Sequence, residues 1–155
     1  MDMTPEAKWS QLQAELPPAS KPKGLYKPVV IVGNLAYTSG HLPILPDGTI
    51  QTGRLGDDLD QNQGSAAARR AGLAVLASLR AKLASLDRVR RVVKVLGLVQ
   101  CTDDFQSHPA VINGCSQLFA DVFGPDAGVG ARTALGSHSL PLHAAVEIEA
   151  VFEIE

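Results

Sequence analysis

The sequence has 155 residues, with 45% hydrophobic and 19% charged side chains and a formal net charge of −2. This length and composition are typical of a single soluble domain, and the small charge excludes a general attraction to nucleic acid or anionic membranes. No apolar run reaches the roughly 20 residues that a membrane-spanning helix requires. The N-terminus lacks an export-signal pattern, and Cys101 and Cys115 lack zinc-type spacing, so we expect a cytoplasmic protein without a metal.

The first 23 residues predict a helix followed by an extended connector. Thr4 and Pro5 form a helix start, and an apolar stripe at every third or fourth position continues to Leu16. The two prolines after Leu16 end that helix. We therefore divide the chain into an N-terminal helix and connector, residues 1–23, and one domain, residues 24–155.

A β-hairpin and a surface loop are predicted at the start of this domain. Residues 29–32 and 35–39 are rich in strand-forming side chains and flank Gly33 and Asn34, a two-residue turn signal. Residues 43–57 contain three Gly and two Pro, which favours a loop.

The remaining pattern predicts two helices and three strands. Leucines at three- and four-residue intervals indicate a long helix over residues 60–86, and a second helix follows Asp103 or Ser107 as cap and ends at Gly124. The predicted strands are residues 92–101, 130–137 and 145–154. This order predicts an α+β domain in which two helices pack on one face of a mixed sheet.

The strand at residues 92–99 has apolar side chains on both of its predicted faces. Strict alternation places Val93, Val95 and Val99 on one face and Val92, Leu96 and Leu98 on the other. Two helices can cover one face of a small sheet, and a strand that is apolar on both sides requires cover on both. We therefore expect the other face to pack against another subunit.

Arg132 and the C-terminal glutamates are the candidate functional residues. Arg132 stands in a small, apolar run, and a half-buried guanidinium requires an anion for its hydrogen-bond donors. From Glu147 onward, glutamates alternate with apolar residues, as in a strand with one solvated face. These residues alone leave two interpretations open: a structural ion pair, or a site for the carboxylate of a small ligand.

Three segments resemble the reactive-intermediate deaminase family, which is also called RidA or YjgF and in older usage L-PSP endoribonuclease. They are GNLAYTSGHLP at residues 33–43, VINGCSQLF at 111–119 and ARTALGSHSLPLHAAVEIEA at 131–150. In the last segment an arginine precedes Leu-Pro by eight residues and an acidic residue by fifteen. Tyr26, seven residues before the Gly-Asn turn, also matches the family pattern.

The resemblance implies a chorismate-mutase-like fold assembled as a homotrimer with sites in intersubunit clefts. It implies that Arg132 binds the substrate carboxylate and that Glu147 positions a water, which converts 2-imino acids into 2-keto acids and ammonia. Tyr26, Ser39 and Asn113 match residues that line this cleft. Neither a metal nor an organic cofactor is implied.

This sequence departs from the family pattern at one site position and in two segments. Ala134 replaces the usual cysteine two residues after the arginine, so it lines the expected substrate site without a thiol. The N-terminal helix and the extended loop after residue 43 are similar to a longer subgroup of the family. Two alternatives to deamination therefore stay open: a non-catalytic binder of small carboxylates or partner proteins, and an endoribonuclease, against which the acidic strand argues.

Overall fold

The computed structural model describes residues 2–19 and 21–155, and these form a five-stranded sheet with helices on one face. The strands are β1 (Val29–Val32), β2 (Leu35–Thr38), β3 (Val89–Gln100), β4 (Ala131–Ser137) and β5 (Val146–Ile154), and the helices are α1 (Pro5–Ser10), α2 (Gln61–Leu83) and α3 (His108–Phe123). The sheet order is β1-β2-β5-β3-β4, with β3 and β4 parallel and the other neighbours antiparallel. The mixed sheet and the two helices predicted to cover one face are confirmed.

The hairpin between β1 and β2 follows directly from its turn residues. Gly33 adopts φ of +60°, a conformation that costs a residue without Cβ very little. The four pairs between the strands run from Val29 opposite Thr38 to Val32 opposite Leu35. The predicted hairpin is therefore confirmed.

The N-terminal helix is shorter than predicted. After α1 ends at Ser10, the chain forms only a short 3₁₀ turn at Gln13–Glu15. The Glu15 carboxylate accepts two hydrogen bonds from Arg69 of α2, at 2.9 and 3.1 Å, and its carbonyl accepts one from Arg70. These contacts hold the end of the segment against α2, so the continuous helix predicted to residue 16 is wrong.

The two long helices differ from the prediction at the end of α2 and in the capping of α3. Asp60 caps α2 through reciprocal bonds with Gln63, but Ala84 adopts the left-handed conformation at φ of 68° and ends the helix three residues before the predicted end. Ser107 stands at the N-cap of α3, although its side chain makes no capping hydrogen bond there. The hydroxyl capping expected at α3 is therefore absent, and so is capping by Asp103.

A bulge in β3 corrects the predicted assignment of its faces. The register between β3 and β5 shifts between Val92 and Lys94, so Val92 pairs with Phe152 and Val95 with Ala150. Val92 and Val95 are both buried on the helix-covered face, whereas Val93 is 37% exposed. Alternation counted along the chain placed Val92 and Val95 on opposite faces, and the extra residue in the bulge brings them to the same one.

The two faces of the sheet differ sharply in cover. On the helix-covered face, Phe119 of α3 contacts Phe152 of β5 with ring centroids 5.6 Å apart, and both are fully buried. No helix of the described residues covers the opposite face, which we call the open face. Its large apolar members are Val30, Val32, Leu35, Tyr37, Leu96, Leu98, Leu135 and Val151. Four of them are more than 40% exposed: Val30, Val32, Tyr37 and Leu135. Within the described residues, no helix is long and apolar enough to cross a bilayer.

Candidate functional site

Arg132 lies near the start of the edge strand β4, on the side of the sheet that faces α3. Its Nη1 donates to Asn113 Oδ1 at 2.7 Å and to Ser116 Oγ at 3.0 Å. Both partners belong to α3, where a spacing of three residues places side chains on the same side of a helix. We call these three residues the arginine half of the site.

The guanidinium of Arg132 keeps one edge available. Both of its side-chain hydrogen bonds leave from Nη1, so the edge formed by Nε and Nη2 has no partner among residues 2–19 and 21–155. This edge presents two parallel N–H donors, from which the two oxygens of a carboxylate can accept a pair of hydrogen bonds. Arg132 is exposed rather than half-buried, and none of the ion pairs among the described residues includes it. The structural ion pair with a glutamate of the same chain is therefore wrong.

Ser116 is a site residue that the sequence reasoning missed. The signal was present, because Ser116 follows Asn113 by one helical turn within VINGCSQLF. Ala134 lies two residues after Arg132 on the same side of β4 and pairs with Gly97 of β3. Ala134 is partly buried against the core. It therefore faces α3 beside the arginine half, at the position where the family pattern has a cysteine.

Glu147 belongs to β5 and lies on the open face, paired with Leu98 of β3. Its half-buried carboxylate lies so close to Gly40 that a side chain at that position would overlap Glu147 Oε1. Burial raises the pKa of Glu147 above its usual value, and the negative charge of Glu149 raises it further. Among the described residues, neither an ion pair nor a side-chain hydrogen bond engages this carboxylate. It is therefore placed to accept a proton.

Ser39 connects the surroundings of Glu147 to the segment that contains Tyr26. The Ser39 hydroxyl donates to the carbonyl of Lys27 at 2.6 Å, and its backbone N–H donates to the carbonyl of Pro28 at 2.9 Å. Tyr26 precedes these acceptors and is 51% exposed. Ser39 and Gly40, together with Glu147, form what we call the glutamate half.

The two halves do not meet within one chain. Arg132 pairs with Val95 on the side covered by α3, whereas Glu147 points to the open face. The six residues predicted to share a cleft are thus divided into two groups. Arg132, Asn113 and Ala134 lie on the side of α3, whereas Glu147 and Ser39, with the neighbouring segment at Tyr26, lie in the other group. In the part of the chain that the structure describes, no three His, Cys, Asp or Glu side chains gather as metal ligands.

Comparison with known proteins identifies the family. The family pattern described as "YjgF/chorismate mutase-like, putative endoribonuclease" matches residues 6–153. Protein TCP17 of Trypanosoma cruzi is 40% identical over 148 residues, which are 96% of this chain and 92% of that protein.

Solved structures with the same fold extend the comparison. The crystal structure of Atu1372, a protein of unknown function from Agrobacterium tumefaciens, is 40% identical with a TM-score of 0.88, and the match covers 97% of this chain and 92% of that one. RidA from an Antarctic Psychrobacter species is 27% identical with a TM-score of 0.60, over 91% and 95% of the two chains. The matched pattern, the identities and the shared fold together show that this chain belongs to the YjgF/RidA family.

Proposed function

We propose that this protein hydrolyses reactive 2-imino acids, and the enamines that give rise to them, to 2-keto acids and ammonia. The proposal places the reaction in clefts between the subunits of a homotrimer. In each cleft the arginine half of one subunit binds the substrate, and the glutamate half of a neighbouring subunit acts on it. The likeness to RidA supports the reaction class, and the geometry of the two halves supports the roles of the residues.

The observation that carries the proposal is the orientation of Arg132. Two neutral partners on α3 fix its guanidinium through Nη1, and they leave the Nε and Nη2 edge directed away from these bonds. A planar, permanently charged fork without an anion suits the carboxylate that every 2-imino acid carries. Asn113 and Ser116 reduce the freedom of the side chain before the ligand arrives, which lowers the entropic cost of binding.

The chemistry requires one base and one oriented water. Glu147 removes a proton from the water while the oxygen attacks the imine carbon, and the electron pair of the C=N bond moves to nitrogen. The protonated carboxyl then returns this proton to nitrogen, which gives a neutral carbinolamine. The carbinolamine hydroxyl next gives its proton to Glu147, which passes it to nitrogen as the C=O bond forms, the C–N bond breaks and ammonia leaves. The imine carbon is already electrophilic, so positioning the water supplies much of the catalysis. A carboxyl with a raised pKa is suited to holding the proton between these steps.

The open face supports the proposed assembly. It exposes apolar side chains toward both edges of the sheet, including Val30 on β1, Tyr37 on β2 and Leu135 on β4. Exposed apolar surface of this kind is stabilised by contact with further copies of the chain. A cyclic arrangement also brings the open face of one subunit toward the edge of the next, so that opposite faces of two sheets border one cleft.

Complementation between two inactive variants tests the proposal. Arg132→Ala and Glu147→Gln should each release little ammonia from a freshly generated 2-imino acid when purified alone. When the two are co-expressed and mix at random, about a quarter of the clefts combine an intact arginine half with an intact glutamate half. Ammonia release should therefore recover to about a quarter of the wild-type rate per site.

Three other results would contradict the proposal in different ways. No recovery in mixed oligomers would show that the site is not shared between subunits. Binding of 2-keto acids without ammonia release would favour the non-catalytic binding protein. Cleavage of a structureless RNA without deamination would favour the endoribonuclease, although phosphates would be repelled by Glu147, Glu149 and Glu153 along β5.

A further inference from the structure

His41 lies at the junction between α2 and the glutamate half. Its backbone N–H donates to the carbonyl of Ile148 at 2.8 Å, and the Ile148 N–H donates back to the carbonyl of His41 at 3.0 Å. Ile148 follows Glu147 in the chain, and Gly40 precedes His41. The bridge therefore holds the backbone of residues 40 and 41 beside Glu147. The backbone at the end of β2 is therefore tied to β5 beside the proposed base.

The ring of His41 makes two hydrogen bonds that define its protonation state. Nδ1 lies 2.6 Å from the carbonyl oxygen of Ser39, which can only accept, so Nδ1 carries a proton. Nε2 lies 2.8 Å from the hydroxyl of Ser78 on α2. Burial lowers the pKa of His41, which favours the neutral ring, in which Nε2 accepts from Ser78. The imidazole thus connects a helix to the carbonyl one residue before Gly40.

Gly40 transmits the position of this turn to Glu147. Because a Cβ at Gly40 would overlap the Glu147 carboxylate, the backbone of the turn forms the wall against which that carboxylate is half-buried. Burial is the main reason that the pKa of Glu147 is raised. Any outward movement of residues 39–41 would admit water to the carboxylate and remove part of this effect.

We infer that His41 is a positioning residue for Glu147, which acts through the Ser39 carbonyl and the Gly40 backbone and is itself held by Ser78. The inference deepens the proposed function, since it concerns the basicity of the proposed base. His41 does not touch the substrate in this arrangement. Besides Glu147, the charged groups that the register places on the open face of β5 and β3 are Glu149, Glu153, Lys94 and Arg91. Ser78 is the polar group that α2 presents to His41.

Titration of the Glu147 carboxyl by ¹³C NMR tests the inference without relying on activity. The signal is assigned by its absence in Glu147→Gln. In His41→Phe, which keeps a ring but loses both hydrogen bonds, the pKa of Glu147 should fall toward the ordinary glutamate value. Turnover should fall about tenfold or more, while KM for the carboxylate substrate stays within about twofold because Arg132 is untouched.

Two conservative variants sharpen the test. His41→Asn retains a donor for the Ser39 carbonyl and loses only the Ser78 contact, and Ser78→Ala loses the same contact from the other side. Both should therefore give the same intermediate Glu147 pKa. His108→Phe is the matched control, because the His108 ring lies against Phe105 and Cys101 rather than in either half of the site. It should leave the titration of Glu147 unchanged.

An unchanged Glu147 titration in folded His41→Phe would overturn the inference. If His41→Phe does not fold, Ser78→Ala provides the test instead. A Glu147 titration like that of the wild type in this variant would also overturn the inference. Failure of the proposed function looks different: Glu147→Gln would then deaminate at the wild-type rate, while the NMR titrations would still report whether His41 positions the carboxylate.

Discussion

The arginine half and the glutamate half hold their charged groups by opposite means. Arg132 is exposed at the edge of the sheet and is oriented by two hydrogen bonds that it donates to side chains of α3. Glu147 lies on an inner strand, half-buried against backbone, with no donor among the described residues. An exposed cation keeps its charge and can capture a ligand from solvent. A partly desolvated carboxylate binds protons more readily, and the comparison therefore assigns recognition to one half and proton transfer to the other.

The largest effect should come from removing the cation. Arg132→Ala should weaken binding of a small 2-keto acid by about 10²-fold or more, since two charge-assisted bonds are lost. Arg132→Lys should fail as well, because an ammonium cannot provide the planar fork. Calorimetric titration measures the affinity, and thermal unfolding checks the fold. Arg90→Ala, which removes another exposed arginine, is the control and should bind normally. Unfolding of Arg132→Ala would instead assign the guanidinium a structural role.

Glu147→Gln should separate the two halves most cleanly. It removes the base but keeps the shape, so turnover should fall about 10²-fold while 2-keto acid binding is nearly unchanged. The assay is ammonia release from a 2-imino acid, alongside ligand titration. Glu153→Gln changes a glutamate of the same strand and should behave like wild type in both measurements. Equal rates for the two variants would remove Glu147 from the mechanism.

Smaller losses are expected when the supports of Arg132 are removed one at a time. Asn113→Ala and Ser116→Ala each delete one hydrogen bond to Nη1 and should weaken ligand binding about two- to tenfold. Turnover at saturating substrate should change little, because the glutamate half is intact. Gln117→Ala, on the same helix but bonded to Asp121, provides the comparison variant. Affinities equal to wild type in both test variants would mean that the arginine is oriented by the ligand rather than before binding.

The smallest effect is a shift in pH dependence. Burial and the charge of Glu149 both raise the pKa of Glu147, and the deprotonated carboxylate is the proposed active form. Glu149→Gln removes one of these causes, so the Glu147 pKa should fall and the acidic limb of the kcat profile should move to lower pH. Measuring kcat against pH in matched buffers checks the direction. A limb that stays in place or moves upward would exclude coupling between the two carboxylates.

Much of the fold could be predicted because its signals are local. The Gly33-Asn34 turn and the alternation along β5 each specify an element within a few residues, and both elements are present. The ends of helices were less predictable. Ala84, for example, ends α2 in the left-handed conformation, which alanine does not favour. The bulge at Val93 could not be predicted from the sequence either, because it depends on how β3 pairs with β5.

The candidate site shows the same division between local and distant information. The sequence by itself determined the residue types, the fifteen-residue interval from Arg132 to Glu147, and the family that these indicate. Only the tertiary structure decided that the two residues face opposite sides of the sheet, because they lie on strands separated by β3 and joined by an irregular loop, across which alternation cannot be counted. The contact of His41 with Ser78, 37 residues away, likewise exists only once α2 packs on the sheet.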